Sequence, residues 1–253
     1  MLGTFSQNSG ARQGYIFLLS RPNPLSSMNS TEPDKTKLEF SEKYNEDHAR
    51  YYFEKHEQEF WRRLSNWRDH QVCARALRIA GNPKSILDMP CGTGRFWDLL
   101  VKDPDCKLWA SDNSQDMINA GLKFRPAEIA SRFETFQGSA FDLPVEDNFV
   151  ESVFCIRLMH HIGEHEDRLK LLAELARVSS GSIIISLWVD GNLTAWKRKR
   201  REAKRGKKGY QNRFVIPQTV IEDEFRESGL AIEARLDFIK YYAMWRTYVL
   251  KVQ

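Results

Sequence analysis

Short apolar runs alternate with helical periodicities from residue 85 onward, and the first two of these runs end on an aspartate. Ser85–Asp88, Lys107–Asp112 and the segments 151–155 and 182–188 are rich in β-branched and aromatic residues, which predicts buried strands. Between these runs, helical spacing predicts a helix from about residue 115 and another over 167–178. Alternating strands and helices favour an α/β fold with a parallel sheet.

The two ends of the chain differ from this pattern. Residues 217–228 predict a helix, and 230–242 followed by 244–252 predict two antiparallel strands. At the other end, Phe60, Leu64 and Trp67 recur at helical spacing and predict a helix that packs on the sheet. Residues 1–37 show no periodicity and are predicted to be disordered, with Met28 as an alternative start that makes 1–27 an upstream extension.

The turn after the first predicted strand carries the clearest chemical signal. Asp88 ends the strand, and Gly92 and Gly94 follow at a spacing that exposes bare backbone amides at the start of a helix. Such a turn suits a nucleotide-like ligand. The dinucleotide fingerprint would need a third glycine at position 97, which is Trp97, so that fingerprint does not fit.

The segment 85–100 resembles the first motif of class I S-adenosylmethionine-dependent methyltransferases. Asp88, Gly92 and Gly94 stand in register with that motif, and Pro90 occupies the place of its first glycine. The stretch from Asp112 onward resembles the second motif of the family, in which the acid binds both ribose hydroxyls. The alternative role for Asp112 is that of a helix N-cap.

Two further motifs of the family are recognisable in the expected order. Residues 137–144 resemble the third motif, with Ser139 where the family often has aspartate, so adenine recognition is expected from the backbone near Ala140, from Asp142 or by stacking on Phe141. Residues 151–162 resemble the fourth strand and its exit, including a pair of histidines. The resemblance thus implies S-adenosylmethionine as cofactor, held by Asp88, Pro90, Cys91, Gly92, Gly94, Asp112, Asn113, Met117, Ser139, Ala140, Phe141 and Cys155.

The resemblance also implies a Rossmann-like, doubly wound, seven-stranded sheet with an N-terminal helical cap. On that basis the methyltransferase domain is predicted over 38–253, made of a cap (38–81), a cofactor-binding core (82–190), a basic insertion (191–213) and a C-terminal helix and β-hairpin (214–253). In this family such a cap helps to form the acceptor pocket. The candidate pocket residues in the cap are Tyr44, His48, Tyr51 and Tyr52.

Positive charge is concentrated in one tract of the chain. Residues 197–208 hold nine basic residues and one acidic residue, a net charge of +8 against +4 for the whole chain, which leaves about −4 elsewhere. A uniform nucleic-acid-binding surface is therefore not indicated. The tract is predicted to hold an anionic acceptor, RNA or an acidic membrane surface, and the alternative is a solvated loop with no partner.

The remaining reactive residues complete the prediction. The four cysteines show no metal-ligand or C-x-x-C spacing, and the histidines have no acidic partners of the usual motifs, so no metal site is predicted. Arg157 is the candidate anchor for an acceptor anion or for the cofactor's carboxylate, with a salt bridge to a surface acid as its alternative role. His160 is the candidate base, with packing or helix capping as its alternative role. The predicted function is methyl transfer to an anionic small-molecule or lipid-linked acceptor by an enzyme in the cytoplasm or at the inner membrane surface. RNA methylation and non-catalytic tethering are the alternatives.

Overall fold

A computed structural model describes residues 60–205 and 212–253. Seven strands form one sheet in the order β3-β2-β1-β4-β5-β7-β6, in which β7 runs antiparallel to both of its neighbours. The strands are β1 Ser85–Asp88, β2 Lys107–Asp112, β3 Phe133–Gln137, β4 Val150–Cys155, β5 Ser179–Trp188, β6 Leu230–Asp237 and β7 Trp245–Val252. The chain leaves β1 toward one edge of the sheet and returns to β4 on its other side, as in the predicted Rossmann-like doubly wound fold.

Helices cover both faces of the sheet. They are α1 Phe60–Ile79, α2 Trp97–Leu100, α3 Gln115–Phe124, α4 Ala127–Ala130, α5 His165–Val178, α6 Leu193–Arg205 and α7 Gln218–Glu227, with one 3₁₀ turn at Met159–His161. None of the helices in this described part is long and apolar enough to cross a membrane.

The buried side chains form two main clusters, one on each face of the sheet. Successive strand residues point to opposite faces, so Leu87 and Val153 join one cluster while Ile86 and Phe154 join the other. Both faces of the central strands are thus apolar, which explains why these strands read as continuous hydrophobic runs.

The first helix packs on a different face from the predicted one. Leu64 and Trp67 are exposed, Trp67 by 58%, whereas Val72, Cys73 and Ala76 are buried. These three residues and Asp69 share one side of α1 at helical spacing. Asp69 binds two arginines of the sheet domain, and this contact fixes the helix with Leu64 and Trp67 turned outward. The prediction that Leu64 and Trp67 pack on the sheet was therefore wrong.

A buried ion pair joins α5 to α7. Arg168 donates from Nη2 and Nε to the two carboxylate oxygens of Glu224 at 2.6 and 2.8 Å. Arg168 Nη1 also donates to the carbonyl of Gly163 at 2.6 Å. The pair positions the loop after the histidine pair against the C-terminal helix.

Two C-terminal predictions need adjustment. The strand predicted over 230–242 ends at Asp237, because the amides of Tyr242 and Ala243 both turn back to the carbonyl of Ile239. Residues 193–205 of the basic insertion form helix α6, and residues 206–211 lie outside the described residues. The predicted cap residues Tyr44, His48, Tyr51 and Tyr52 and the predicted disordered segment 1–37 also lie outside them, so the predicted domain boundaries stay predictions.

Candidate active site

The glycine turn closes onto the end of β2 through two backbone hydrogen bonds. The amide of Cys91 donates to the carbonyl of Ser111 at 2.9 Å, and the amide of Gly92 donates to Asp112 Oδ2 at 2.9 Å. Gly92 adopts a φ of +55°, a conformation that glycine tolerates without strain. The bare backbone of the turn and the Asp112 carboxylate therefore lie side by side at the carboxyl edge of the sheet.

Asp112 is held in place by backbone donors on both oxygens. Its Oδ1 accepts from the amide of Ser114 at 3.0 Å, while Ser114 Oγ accepts from the amide of Met117 and caps α3. The N-cap is thus Ser114, not Asp112. Burial raises the pKa of Asp112, and the backbone donors oppose that shift only in part.

Asp88 lies beneath the turn instead of facing the crevice. Its side chain is almost fully buried and accepts from the indole Nε1 of Trp97 at 3.2 Å. Burial raises the pKa of Asp88 well above its usual range. Because Trp97 is itself buried and stacked on Phe133, Asp88 supports the turn through Trp97.

Gly94 leaves space for the side chain of Trp97. Its φ is +69°, and a Cβ at this position would lie 2.5 Å from the Trp97 ring. The missing side chain makes room for the indole, which differs from the prediction that Gly94 exposes backbone to a ligand. Trp97 thereby fills the place where a dinucleotide-binding turn has its third glycine.

The loop after β3 forms the other wall of the crevice. The amide of Gly138 donates to the carbonyl of Asp112 at 3.1 Å, and Gln137 Nε2 donates to the carbonyl of Asn113 at 2.8 Å. Ser139 Oγ accepts from the amide of Phe141 at 3.3 Å, which folds the loop back on itself. These contacts join the loop that carries Ser139, Ala140 and Phe141 to the end of β2, which carries Asp112 and Asn113. Met117 lies beside Gly92.

The two cysteines predicted at the cofactor edge are buried in the apolar core. Burial raises the pKa of both the Cys91 and the Cys155 thiol, so both stay protonated at neutral pH. Cys155 has no exposed surface, so its side chain does not line the crevice. Pro90 follows Met89 through a cis peptide bond at the start of the turn.

A second group of side chains lies at the same edge, at the ends of β4 and β5 and the start of β7. We call it the acceptor cluster; it consists of Arg157, His160, Trp188, Trp245, Arg198 and Arg213. The ring of His160 lies 4.9 Å from Trp188 and 4.7 Å from Trp245. The guanidinium of Arg157 lies 4.5 Å over Trp245, and those of Arg198 and Arg213 lie 4.9 and 5.9 Å from Trp188.

Three buried nitrogen atoms of this cluster make neither a hydrogen bond nor an ion pair within the described structure, namely Arg157 Nε, His160 Nδ1 and Trp188 Nε1. A fourth, Arg198 Nε, lies 2.7 Å from Glu202. Buried polar groups are normally paired, so three unpaired ones in one cluster point to a polar ligand. The two N–H groups are donors and suit an anion or a carbonyl oxygen.

Burial and the surrounding cations determine the state of His160. Its side chain is 4% exposed, and burial, together with His161 and the three arginines of the cluster, lowers its pKa to about 2. His160 is therefore neutral at physiological pH and a very weak base. His161 is bound through Nδ1 to the carbonyl of Asn212, and burial lowers its pKa as well.

Asp69 connects the two halves of the site. Its Oδ2 lies 2.5 Å from Nη2 of both Arg95, in the glycine turn, and Arg157, after β4. Arg157 adopts a φ of +68°, and its amide donates to Ser186 Oγ at 2.9 Å. Helix α1 thus holds the cofactor turn and the acceptor cluster in a fixed relation.

Comparison with known proteins agrees with this geometry. Residues 86–180 match a family model described as a methyltransferase domain. The matched residues, 86–180, thus have the sequence pattern of a methyltransferase domain. A solved structure of similar fold, magnesium protoporphyrin IX methyltransferase of Synechocystis, holds S-adenosylmethionine.

Individual relatives of the methyltransferase are distant. A tRNA (carboxymethyluridine(34)-5-O)-methyltransferase of Arabidopsis thaliana is 29% identical over 107 residues, which is 41% of this chain and 24% of that protein. The chain thus spans about a quarter of the length of this curated relative.

Solved structures share the fold of the methyltransferase. Magnesium protoporphyrin IX methyltransferase of Synechocystis with bound SAH superposes with a TM-score of 0.61 at 15% identity, over 77% of this chain and 88% of that one. A SAM-dependent methyltransferase of Aquifex aeolicus gives 0.51 at 20% identity, over 67% and 82%.

The crevice has the chemistry that S-adenosylmethionine would require. The Asp112 carboxylate is fixed beside the bare backbone of Gly92, where hydroxyl donors of a ribose can reach it, and Met117 lies next to the same turn. Trp97 removes the glycine needed for a pyrophosphate, so the turn suits a single nucleoside. Among the described residues no group of three or more His, Cys, Asp or Glu side chains could hold a metal ion.

Sequence analysis missed three important residues of the site. Trp188 and Trp245 are 57 positions apart in the chain and become neighbours only because β5 and β7 pair in antiparallel register. Asp69 carries no motif, although an acid on the buried face of an amphipathic helix is unusual enough to have signalled it.

Proposed function

We propose that this protein transfers the methyl group of S-adenosylmethionine to an acceptor that carries a negative charge. The observation that supports it is the acceptor cluster, which combines two tryptophans, three guanidinium groups and unpaired buried nitrogens at the sheet edge of the cofactor crevice. Arginine on aromatic faces is well suited to planar anions such as carboxylates.

The protein's own task in this reaction is positioning. The bound cofactor supplies a methyl group already activated by its sulfonium, so holding acceptor and donor in line and excluding water are sufficient for a large rate gain. Asp112 would hold the cofactor by its ribose, and the loop after β3 would hold its adenine. Asp69 fixes the position of Arg157 relative to the glycine turn, because it pairs with both Arg157 and Arg95.

The state of His160 bears on the kind of acceptor. A side chain whose pKa is lowered to about 2 does not remove a proton at neutral pH, so His160 is a positioning residue in this proposal and not the base suggested by the sequence. A carboxylate oxygen is ionised at neutral pH and needs no base. The preferred acceptor is therefore a carboxylate or similarly ionised group on a small or lipid-linked molecule.

RNA methylation is the second candidate. The Arabidopsis relative acts, by its name, on a tRNA uridine that bears a carboxymethyl group, which is an aromatic and anionic acceptor. Such a group also suits tryptophans and arginines, and the cations of α6 could contact the RNA backbone.

The test is transfer of labelled methyl from S-adenosylmethionine to three acceptor pools, which are small carboxylates, anionic lipid extracts and bulk tRNA. Arg157→Gln is compared with Arg132→Gln, whose side chain binds backbone carbonyls near the opposite edge of the sheet. We expect Arg157→Gln to lose on the order of 10- to 100-fold in kcat/KM with cofactor affinity kept. Wild-type transfer by Arg157→Gln, or the same loss in Arg132→Gln, would contradict the assignment.

A further inference from the structure

Five apolar side chains protrude from the end of the molecule next to the acceptor cluster. We call them the interfacial patch; they are Leu193, Trp196, Ile239, Tyr241 and Tyr242, all exposed, Trp196 by 55% and Tyr241 by 75%. Exposed large side chains are ordinary when scattered, but a group of five calls for an explanation.

Hydrogen bonds hold the patch together as one surface. The amides of Leu193 and Thr194, at the start of α6, donate to the carbonyls of Tyr241 and Tyr242 at 3.0 Å each. Tyr241 adopts a φ of +62°, which is rare for a bulky residue and costs free energy. The fold therefore maintains a strained turn that presents an aromatic side chain to solvent.

Cations surround these apolar side chains. Trp196 lines a shallow cleft together with Lys197, Arg200 and Arg201, and the Arg200 guanidinium lies 5.2 Å over the Trp196 ring. On the neighbouring turn, Lys240 Nζ lies 4.9 Å over the Tyr241 ring. The acidic residue of the tract, Glu202, is already paired with Arg198 at 2.7 Å.

The charge distribution indicates the charge of the partner that this surface would bind. Residues 197–208 carry a net charge of +8, whereas the remaining chain carries about −4. An anionic surface therefore attracts this tract and not the chain as a whole. Charge complementarity thus selects an extended negative partner that meets this end.

We infer that the interfacial patch and its cations dock the protein on a membrane that contains anionic lipids. Tryptophan and tyrosine favour the boundary between headgroups and acyl chains, and basic residues favour anionic headgroups. The aliphatic side chains of Leu193 and Ile239 separate this partner from single-stranded RNA, because bases stack on aromatic rings but gain little from exposed aliphatic groups. Helix α6 would lie in the interface without spanning it.

This docking would bring the acceptor cluster to the lipid surface. Arg198, on the same helix as Trp196, lies over Trp188 of the cluster. The inference concerns binding and not turnover, so it can fail while the proposed methyl transfer holds, and the reverse is also true.

The experiment is co-sedimentation of the full chain with phosphatidylcholine vesicles, with and without phosphatidylglycerol. The charge variant is Lys197→Gln/Arg200→Gln/Arg201→Gln, and the apolar variant is Trp196→Ser/Tyr241→Ser. The control is Lys102→Gln/Lys107→Gln/Lys251→Gln, which removes three exposed lysines near the opposite edge of the sheet. Circular dichroism checks that each variant is folded.

We expect salt-sensitive binding only to the vesicles with phosphatidylglycerol, weakened on the order of 100-fold in the charge variant and unchanged in the control. The apolar variant should also bind more weakly. Lipids with brominated chains should quench part of the wild-type tryptophan emission, and this quenching should be smaller in the apolar variant, which lacks Trp196. No vesicle binding, equal binding to neutral vesicles, or wild-type binding by both test variants would overturn the inference. So would tight binding to single-stranded RNA by a chain that does not bind vesicles.

Discussion

Replacement of Asp112 by asparagine tests the cofactor crevice with almost no change in shape. Each carboxylate oxygen now accepts one backbone N–H, from Gly92 at 2.9 Å and from Ser114 at 3.0 Å. Asparagine keeps one acceptor oxygen and presents an NH₂ group to the other donor. The loss of one charge-assisted hydrogen bond is worth about 1.5–3 kcal/mol, and the negative charge that attracts the ribose hydroxyls disappears as well.

We therefore expect Asp112→Asn to weaken S-adenosylmethionine binding by about 1–3 kcal/mol, or roughly 5- to 150-fold in Kd. The matched control is Asp116→Asn, which removes the same charge four residues later from an exposed position in the first turn of α3. The control should bind the cofactor as the wild type does. Equal affinities of wild type and Asp112→Asn, measured by calorimetry on folded protein, would refute the assignment.

The pH dependence of binding provides an independent test of the same residue. Burial raises the pKa of Asp112, so ionisation costs folding free energy, and the stability gained from the protonated form is lost as the pH rises through the folded-state pKa. Cofactor binding has the opposite sign, because the ionised form is the acceptor for hydroxyl donors. Affinity should fall on acidification at a pH above the usual range for aspartate, and Asp112→Asn should lack this step.

Three further changes test the packing that supports the site. Gly94→Ala places a Cβ 2.5 Å from the Trp97 ring and should lower Tm. The control is Gly191→Ala, because Gly191 has a similar positive φ but no atom within 4 Å of the added Cβ, so it should lower Tm clearly less. Equal losses of Tm would mean that backbone strain alone matters. Trp97→Phe removes the indole N–H that donates to the buried Asp88 carboxylate and should lower the free energy of unfolding by about 1–3 kcal/mol. Because the hydrogen bond is stronger to the ionised carboxylate, the loss should be larger at alkaline than at acid pH. A pH-independent loss would count against that hydrogen bond. Glu224→Gln leaves the Arg168 guanidinium buried without its charge partner and should cost about 3–5 kcal/mol in urea unfolding, whereas a loss below 1 kcal/mol would show that the pair is dispensable.

The sequence was sufficient for those parts of the fold that depend on local signals. Apolar runs ending on Asp88 and Asp112 predicted β1 and β2 at their observed bounds, because strand ends and tight turns are encoded by neighbouring residues. The seven-stranded, doubly wound sheet followed from the resemblance to a known family.

Other features depend on contacts between distant segments. The rotation of α1 is set by Asp69 and its two arginines, and the apolar spacing of Leu64 and Trp67 gave the opposite face. The role of Gly94 depends on the bulk of Trp97, which a glycine pattern does not register.

The acceptor cluster also depends on contacts between distant segments, which sequence patterns do not reveal. Its tryptophans meet through the register of β5 and β7, and the burial of His160 follows from their rings. A paired histidine in sequence therefore indicated a base, whereas the packed ring is neutral and weakly basic.

The most direct test of the account is calorimetric titration of the purified protein with S-adenosylmethionine, S-adenosylhomocysteine and a nicotinamide dinucleotide. The crevice built from Gly92, Asp112 and the loop after β3 predicts saturable binding of the first two ligands and no detectable binding of the third. Binding of the dinucleotide, or of none of the three by folded protein, would contradict the assignment of this crevice to S-adenosylmethionine.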